Sequence, residues 1–439
     1  MNAPIIALAT PPIKSALAII RLSGRDVISL TQEFLGISFK TEAKTMIKHG
    51  FFSFNHQKLD EVVVLFYFAP YSFTGEDVVE LITHGSMIIV HEIINAYLSK
   101  GVTLAKRGEF SLRAFLNHKI DLLQAEAIND LINATTPSSK RLALESLEGI
   151  PSQQLVTLKD ELETTLARLE VAIDFSEYRH LTEVNIQEQK AVILRIREQF
   201  KKIYQVGQKQ KLIKDGVKVA ILGRPNAGKS SLLNALLNKD RAIVSSVPGT
   251  TRDTIEDSVI INGIKYTFID TAGLRDSSDF IEKEGVKRTY KTLKEVDLII
   301  YLYEQTADHE VPLTIKQSKK PLIVVVNKAD LVRDKIKDTL YVTAIKKHIK
   351  PLINKMEEVL SLDVSLNENT VVNSFEGLSI VRRIIMVLGK TITSFNKQLP
   401  LEIALIPLQE AYALMLELLG QRFNRDLTEA VFSRFCVGK

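Results

Sequence analysis

The sequence has 439 residues and contains a single cysteine, Cys436. One cysteine excludes an intramolecular disulfide and is typical of proteins that work in a reducing cytosol. No group of cysteine and histidine residues has the spacing of a zinc site. The scarcity of cysteine therefore excludes both a disulfide framework and a zinc module as the source of stability.

The sequence also lacks an uninterrupted apolar run of the length that a membrane-spanning helix needs. Four residues interrupt the apolar amino-terminal segment before a signal sequence or spanning helix forms: Pro4, Pro11, Pro12 and Lys14. The run Leu401–Gly420 contains polar residues and a proline that favour an amphipathic bundle helix: Glu402, Pro407, Gln409, Glu410 and Glu417. We expect a soluble, cytoplasmic protein.

Hydrophobic residues make up 45% of the sequence and charged residues 25%, which is typical of a globular protein of about two to four domains. The net charge is +5, and this mild basicity permits a nucleic-acid partner without arguing strongly for one. No internal repeat or low-complexity tract is present.

The segment Val217–Leu237 combines an apolar strand, a glycine-containing loop and a helix. Gly223 and Gly228 let backbone N–H groups surround a β-phosphate, and the helix N-terminus favours its negative charge. Lys229 reaches the β- and γ-phosphate oxygens, and Ser230 offers a hydroxyl to Mg²⁺. The order of these residues predicts a nucleotide-binding loop rather than an ordinary strand–turn–helix corner.

The tetrapeptide Asn327–Asp330 follows a later apolar strand and indicates which nucleotide is bound. The carboxylate of Asp330 accepts two hydrogen bonds from guanine, whereas adenine leaves it unpaired. One strand–helix unit beyond a phosphate loop, this motif favours GTP. The segment Thr343-Ala344-Ile345 is a candidate second contact to the base.

Two segments between these motifs have the composition of GTPase switches, Pro248–Asp253 and Asp270–Leu274. Thr251 is the candidate switch ligand of Mg²⁺, Asp270 is suited to the water shell of the metal, and the N–H of Gly273 to the γ-phosphate. Loss of the γ-phosphate releases both segments, which is a switching device.

Hydrolysis needs a further polar group, because Leu274 stands where small GTPases carry a water-orienting glutamine. Four acids follow in the sequence, Asp276, Asp279, Glu282 and Glu284. Composition does not choose among them, and most of the four are expected only to solvate a loop.

Periodicity divides the chain into four segments. Residues 1–117 mix short strands with a helix at Met87–Leu98 and predict an α+β domain; residues 118–213 and 363–439 are helical. Residues 214–362 alternate strands and helices, as a Ras-like doubly wound P-loop domain does. We expect this α/β domain to be inserted into a discontinuous α-helical bundle. The predicted strands are Ile5–Ala9, Ala16–Leu22, Val62–Ala69, Val217–Leu222, Lys265–Ile269, Leu298–Tyr303 and Leu322–Val326.

Beyond these motifs, the sequence resembles the MnmE (TrmE) family of tRNA modification GTPases over essentially its full length. Five blocks carry the resemblance: ATPPIKSALAIIRLSG, SFTGEDVVELITHG, GEFSLRAFLNHKIDLLQAEAINDLI, the GTPase segments, and the terminal FCVGK. The second, third and last blocks are specific to this family, because generic GTPases do not contain them.

For the nucleotide site, the resemblance implies that Glu282 is the catalytic acid and positions the attacking water. It also implies a K⁺ ion beside the β/γ-phosphate bridge, held by Asn226, Ser245, Val247 and Thr250, which neutralises developing charge as an arginine finger does. The predicted ligands of Mg²⁺ are Ser230 and Thr251. The predicted contacts to GTP are Asn226, Ala227, Gly228, Lys229, Ser230, Ser231, Ser245, Ser246, Val247, Pro248, Gly249, Thr250, Thr251, Asp270, Thr271, Ala272, Gly273, Asn327, Lys328 and Asp330.

For residues 1–117, the resemblance implies dimerisation and binding of a reduced folate, 5-formyl- or 5,10-methylene-tetrahydrofolate. Arg21, Glu80, Lys119 and Lys439 match the folate contacts of the family. Glu80 is suited to the amide N–H and amino group of the pterin, and the three cations to its oxygens. Without the family, each of the four is an ordinary surface salt-bridge residue.

The terminal Cys-Val-Gly-Lys has the form of a prenylation box, but Gly438 and Lys439 match its last two positions poorly and no polybasic stretch precedes it. The resemblance instead puts Cys436 beside the folate. Two roles stay open for Cys436, a part in the chemistry and a buried structural thiol.

The resemblance implies a K⁺-stimulated GTPase that works with an FAD-dependent partner, MnmG (GidA). Together they add a carboxymethylaminomethyl or aminomethyl group to C5 of the wobble uridine of certain tRNAs, using the one-carbon unit of the folate. The expected assembly is a homodimer that forms a heterotetramer with MnmG and acts on tRNA. Which tRNAs are used, whether ammonia or glycine is the amine donor, and whether this chain contacts tRNA directly stay open.

Two alternatives remain. A GTP-dependent switch that binds RNA during ribosome assembly fits the nucleotide motifs equally well, but not the folate blocks or the terminal segment. A scaffold with a decayed folate site is motivated by the segment Pro12–Ala18, which departs from the glycine-rich loop of the family. The chain is also short between Asp297 and Asn327, lacks the GEITGEF segment, and carries Pro248 in place of an alanine. These departures allow an altered folate affinity, whose extent stays open, and leave the GTPase intact.

Overall fold

The computed structural model describes residues 3–39, 42–174, 185–223, 226–237, 257–269, 293–304, 311–332, 339–362, 370–422, 428, 431–436 and 438. Their contacts form two compact units. Unit 1 consists of Met1–Asn129, Leu147–Leu194 and Met386–Lys439, and unit 2 of Asp130–Ser146 and Arg195–Ile385. Within the described ranges, no helix is long and apolar enough to span a membrane. The domain boundaries at residues 117, 213 and 362 stay predictions.

A six-stranded sheet forms the first part of unit 1. Its strands are β1 (Ile5–Leu8), β2 (Leu17–Ser23), β3 (Thr45–Phe54), β4 (Gln57–Tyr67), β5 (Val78–His84) and β6 (Thr103–Leu104). The spatial order is β3-β4-β5-β2-β1-β6, with β1 and β6 parallel and all other neighbours antiparallel. The three strands predicted in this region are confirmed as β1, β2 and β4, with shifted ends.

Two helices cover one face of this sheet, α1 (Val27–Leu35) and α2 (Met87–Ser99). Ile20 and Leu22 of β2 are fully buried in the core under these helices. Because side chains alternate along a strand, Arg21 lies on the opposite face. The register pairs Arg21 directly with Glu80 of β5, so the strand alternation puts both residues on the face opposite α1 and α2.

Five helices follow along the chain: α3 (Glu109–Leu116), α4 (Leu122–Asn133), α5 (Pro137–Leu147), α6 (Ile150–Asp174) and α7 (Ile186–Asp215). They confirm the helical periodicity of residues 118–213. In α6, four leucines of the predicted three- and four-residue series are buried, Leu155, Leu158, Leu162 and Leu169, and Leu166 is partly buried.

Unit 2 contains a second six-stranded sheet, with strands β7 (Val217–Gly223), β8 (Asp257–Ile261), β9 (Ile264–Phe268), β10 (Leu298–Tyr303), β11 (Leu322–Val326) and β12 (Leu340–Tyr341). The order is β12-β11-β10-β7-β9-β8, and only the pair β8–β9 among the described strands is antiparallel. Three helices of this region are α8 (Lys229–Leu237), α9 (Leu313–Gln317) and α10 (Lys350–Leu360).

The central strands of this sheet are apolar on both faces. All six residues of β10 are buried, which is the pattern of a parallel strand covered on two sides. The strand β7 lies between β10 and β9, at the point where successive connections leave the sheet in opposite directions. In open α/β sheets, ligands bind at the carboxyl end of strands at such a switch point. The loop that follows β7 is the predicted phosphate loop.

The last long helices are α11 (Phe375–Asn396) and α12 (Leu401–Leu418), the second of which contains Pro407. Within unit 1, α12 packs against α6, and Gln409 Nε2 donates to Glu170 Oε1 at 3.2 Å. Helices from before and after the inserted sheet therefore pack together. This confirms the predicted discontinuous bundle and the helical interpretation of Leu401–Gly420.

Candidate functional site

The phosphate loop connects the carboxyl end of β7 to the start of α8, and its two motif glycines have no room for a side chain. A Cβ on Gly223 would lie 2.1 Å from the carbonyl oxygen of Leu302, and one on Gly228 would lie 2.2 Å from Asn327 Nδ2. Both residues have positive φ, 152° and 89°. The loop therefore keeps its backbone bare and close-packed, as a phosphate cradle requires.

Lys229 begins α8 with a half-buried ammonium group. Its Nζ donates to the carbonyl oxygen of Gly223 at 3.1 Å, so the cation is held within the loop. Burial lowers the pKa of Lys229 below that of an ordinary lysine. An anionic phosphate at this position would offset the lost hydration, so the residue fits the predicted role toward the β- and γ-phosphates.

Asn327 joins the phosphate loop to the segment expected to contact the base. Its side chain is buried; Nδ2 donates to the carbonyl oxygen of Ala227 at 2.9 Å, and Oδ1 accepts from the N–H of Ala344 at 3.2 Å. One amide thus connects three segments that are far apart in sequence. The structure brings the Asn327–Asp330 motif and the segment Thr343–Ile345 together, as predicted.

The Asn327–Asp330 motif carries two ion pairs that sequence reasoning missed. Lys346 Nζ lies 3.1 Å from Asp330 Oδ2, and this hydrogen bond lowers the pKa of Asp330. Lys328, with a φ of 57°, pairs with Glu304 at the end of β10. Neither Lys346 nor Glu304 belongs to a recognisable sequence motif, because each ion pair joins residues from separate loops.

Part of the predicted nucleotide site is described and part is not. Asn226, with a φ of 61°, precedes the first turn of α8, and Ser230 and Ser231 lie in that turn. The other predicted nucleotide and metal residues lie outside the described ranges: Ser245, Ser246, Val247, Pro248, Gly249, Thr250, Thr251, Asp270, Thr271, Ala272, Gly273 and Glu282.

A second candidate site lies on the face of the unit 1 sheet that is opposite α1 and α2. Arg21 Nε donates to Glu80 Oε1 at 2.8 Å, and Arg21 Nη2 lies 2.7 Å from the same carboxylate oxygen. The hydroxyl of Tyr67 donates to the other oxygen at 3.5 Å, and burial together with the charge of Glu80 raises the pKa of Tyr67. The pair is largely but not fully enclosed, with side chains 20% and 19% exposed.

The end of the chain reaches this pair. Arg21 Nη1 donates to the carbonyl oxygen of Gly438 at 3.1 Å, and the guanidinium lies 5.9 Å from the ring centroid of Phe110. Lys439 lies outside the described residues. Cys436 is exposed, and its carbonyl oxygen accepts from the N–H of Gly108 at 3.4 Å. The thiol is therefore not buried by the described residues of this chain, and the role of Cys436 stays open.

Lys119 contacts a different segment of unit 1. Its Nζ donates to the carbonyl oxygen of Pro70 at 3.0 Å, and the neighbouring Asn117 Nδ2 donates to the carbonyl oxygen of Thr74 at 2.7 Å. The described contacts thus bring Arg21, Glu80 and Gly438 together and connect Lys119 to the loop that precedes β5. Tyr67 and Phe110 were missed, since an aromatic residue in a strand or helix is ordinarily read as core.

Comparisons with known proteins match both parts of this architecture. The family model "GTP-binding protein TrmE N-terminus" matches residues 4–119, and "MnmE helical domain" matches residues 122–436. The tRNA modification GTPase MnmE of Thermotoga petrophila is 35% identical over 451 residues, covering 99% of each chain. That of Aquifex aeolicus is 36% identical over 462 residues, covering 100% of each.

A solved G domain of FeoB from Methanococcus jannaschii aligns with 33% of this chain and 97% of its own, at 22% identity and a TM-score of 0.25. The phosphate loop, its lysine and the guanine motif define a P-loop GTPase carried by a helical bundle and a separate α+β domain. The family models and the full-length relatives make the assignment specific. The chain belongs to the MnmE (TrmE) family of tRNA modification GTPases.

Proposed function

We propose that the chain is a K⁺-stimulated GTPase that, with an FAD-dependent MnmG partner, modifies C5 of the wobble uridine of certain tRNAs with a folate one-carbon unit. At the coarser level, it is a GTP hydrolase of the tRNA modification family. The observation that carries the nucleotide part is the buried amide of Asn327, which holds the phosphate loop and the base-contacting segment together.

In the proposed hydrolysis, backbone N–H groups of the phosphate loop and Lys229 hold the β- and γ-phosphates, while Asp330 accepts from guanine. Ser230 and Thr251 would hold Mg²⁺. Asn226, with Ser245, Val247 and Thr250, would hold K⁺. Of these six residues, the structure describes Ser230 and Asn226. The two cations supply charge compensation for the transferred phosphoryl group. Glu282 orients the attacking water.

The proposed folate site consists of Arg21 and Glu80, with Lys119 and Lys439. The carboxylate of Glu80 is fixed by Arg21 and Tyr67, and it keeps lone pairs for the amide N–H and amino group of a pterin. The partly enclosed face and the carbonyl of Gly438 beside Arg21 support a ligand that the chain end closes over. The exposed Cys436 is two positions before Gly438 in the sequence, close enough for its side chain to approach the same ligand.

The proposed partners are a second copy of the chain, MnmG in a heterotetramer, and tRNA, all in the cytoplasm. The RNA-binding ribosome-assembly switch stays the alternative function. It does not need the Arg21–Glu80 pair or its contact with the chain end, and these contacts favour the modification enzyme.

The test is GTP hydrolysis by the purified chain in KCl and in NaCl at equal ionic strength, with Glu282→Ala and the control Glu284→Ala. We expect K⁺ to raise the rate, Glu282→Ala to abolish it, and Glu284→Ala to retain it. Equal rates in the two salts would contradict the proposed potassium site. A fully active Glu282→Ala variant would return Glu282 to the acids that only solvate a loop.

The tRNA part is tested separately. The chain, MnmG, GTP, the folate and an amine donor are incubated with unmodified tRNA, and the nucleosides are analysed by mass spectrometry. We expect a modified wobble uridine that depends on both proteins. GTP hydrolysis without any modified nucleoside would favour the ribosome-assembly alternative.

A further inference from the structure

Unit 2 contains a cavity of about 820 Å³ that is separate from the nucleotide site. Its walls come from the last turns of α7, the first turns of α11, the end of α10 and the residues that enter two strands. Asp297 and Pro321 stand at the amino ends of β10 and β11, whereas the phosphate loop leaves the carboxyl end of β7. Since these strands are parallel, the cavity and the nucleotide lie at opposite edges of the sheet.

The lining of the cavity is basic. Lys209 and Arg382 have no hydrogen-bond or ion-pair partner among the residues that the structure describes. Lys211 pairs with Asp215 at 2.8 Å, outside the lining. The one acid of the lining, Asp297, already accepts from the backbone N–H of Lys218 at 3.0 Å. Among the described residues, these two cations therefore face the cavity without a compensating charge, which favours an anionic ligand.

The same cavity offers an aromatic face and hydrogen-bonding groups. Phe375 is 69% exposed, although it is the first residue of a long helix that buries most of its apolar side chains. Gln208 Nε2 donates to the hydroxyl of Tyr204 at 3.1 Å, and Gln205, the residue after Tyr204 in α7, also lines the cavity. An aromatic face, free cations and amide groups on an apolar floor are the means by which proteins hold unpaired nucleotides.

On α11, the aromatic side chain and the cation are separated along the helix. Phe375 and Arg382 are seven residues apart, which is about two helical turns and about 10 Å on one face of the helix. This span suits an unpaired base and a neighbouring phosphate. An apolar peptide would leave Lys209 and Arg382 without partners, and so the charges favour RNA over a hydrophobic protein segment.

We propose that this cavity binds an unpaired nucleotide of the tRNA, with the base stacked on Phe375 and the backbone phosphate contacted by Lys209 and Arg382. The inference rests on the proposed action on tRNA and adds a contact surface for it. The cavity adjoins α7, and a single residue, Gly216, connects α7 to β7. The phosphate loop follows directly after β7. RNA held at this edge therefore lies at the base of the strand that carries the nucleotide site.

The experiment measures fluorescence anisotropy of a labelled tRNA with the full chain in GDP, at several KCl concentrations. The variants are Lys209→Ala/Arg382→Ala and Phe375→Ala. The control Lys202→Ala/Lys390→Ala removes the same charge from exposed positions of α7 and α11 outside the lining. GTP hydrolysis without RNA and the thermal midpoint report on folding, and we expect them to match the wild type in every variant.

We expect both cavity variants to raise the Kd for tRNA at least about fivefold, and the control to change it less than about twofold. In the double cation variant, the plot of log of the association constant against log of the KCl concentration also becomes less steep, by about one unit of slope. Phe375→Ala leaves that slope unchanged. Equal losses in the control and the cation variant would overturn the proposal, as would an unchanged Kd in Phe375→Ala.

Three further outcomes decide the nature of the occupant. If the variants keep tRNA binding but lose capture of MnmG, the cavity takes a protein and the proposal is wrong. If they lose only the binding of free uridine monophosphate in equilibrium dialysis, the ligand is a free nucleotide, which also overturns it. If the wild-type chain binds no tRNA, with or without MnmG, the proposed tRNA function fails together with this inference.

Discussion

The ammonium group of Lys346 lies 3.1 Å from Oδ2 of Asp330, the carboxylate expected to recognise guanine. Lys346 is the more exposed partner, with 66% of its side chain accessible against 33% for Asp330. The carboxylate that should receive the base is thus already occupied by a cation from the neighbouring loop. If Asp330 recognises guanine as predicted, the base has to share or displace this contact.

Removal of that competing contact should strengthen nucleotide binding. We expect Lys346→Ala to lower the Kd for GDP about two- to fivefold at low salt, since the attraction within an exposed ion pair is weak. The gain should shrink at high salt, where the pair is screened. Titration of a fluorescent GDP analogue measures both effects. The control Lys355→Ala removes an exposed cation that pairs with Glu358 in the same unit, and a weaker Kd in Lys346→Ala would contradict the interpretation.

The lowered pKa of Lys229 predicts a pH dependence of GDP binding. Phosphate favours the charged ammonium, and burial makes the unliganded Lys229 lose its proton at a lower pH than ordinary lysine does. The affinity for GDP should therefore fall as pH rises through the alkaline range below the usual lysine pKa. Lys229→Arg keeps its charge and should show a flatter profile, and it also controls for titration of the guanine base. Parallel profiles for the two proteins would refute the prediction.

Asn327 should matter to stability as well as to binding. Asn327→Ala leaves the carbonyl of Ala227 and the N–H of Ala344 without their partner in a buried position, at a cost of about 1–3 kcal/mol for each group. We expect a clearly lower midpoint in chemical denaturation and weaker GDP binding. The exposed Asn234→Ala on α8 is the matched control and should change neither. An Asn327→Ala protein as stable as the control would show that the two loops hold their positions independently.

The folate proposal predicts a specific loss at Glu80. Glu80→Gln keeps the size of the side chain but replaces an acceptor with a donor that opposes the amino group of a pterin and the guanidinium of Arg21. We expect 5-formyl-tetrahydrofolate to bind at least about tenfold more weakly in calorimetry. Glu33→Gln, which breaks the exposed pair with Lys100 in the same unit, is the control. Unchanged folate binding in Glu80→Gln would leave the Arg21–Glu80 pair a structural contact.

The sequence predicted the buried strands better than the edges. β10 and β11 have the predicted bounds because each is a continuous apolar run with clear limits, between Asp297 and Glu304 for β10 and between Pro321 and Asn327 for β11. β4 begins at Gln57, five residues before the predicted start at Val62, since its first residues are polar and pair only with β3. β3 itself is mostly exposed and gives no apolar periodicity. An edge strand is held by backbone pairing, which leaves little trace in side-chain pattern.

The candidate sites divide in the same way. The phosphate loop and Asp330 were identified from local motifs, because backbone geometry at these points demands particular residues. Arg21 and Glu80 were assigned only through the family resemblance, and their pairing depends on the register of β2 and β5. Lys346 and Glu304 were missed altogether, since an ion pair between distant loops has no sequence signature.

The contact between Arg21 and Gly438 spans 417 positions of the chain. Gly438 is therefore synthesised 417 positions after Arg21, and the contact between the two residues cannot form until that stretch has been made. A product that ends between Asp330 and Gly438 contains the nucleotide motifs but lacks the carbonyl group that Arg21 contacts. A truncation at such a point therefore separates the binding of GTP from the Arg21–Gly438 contact.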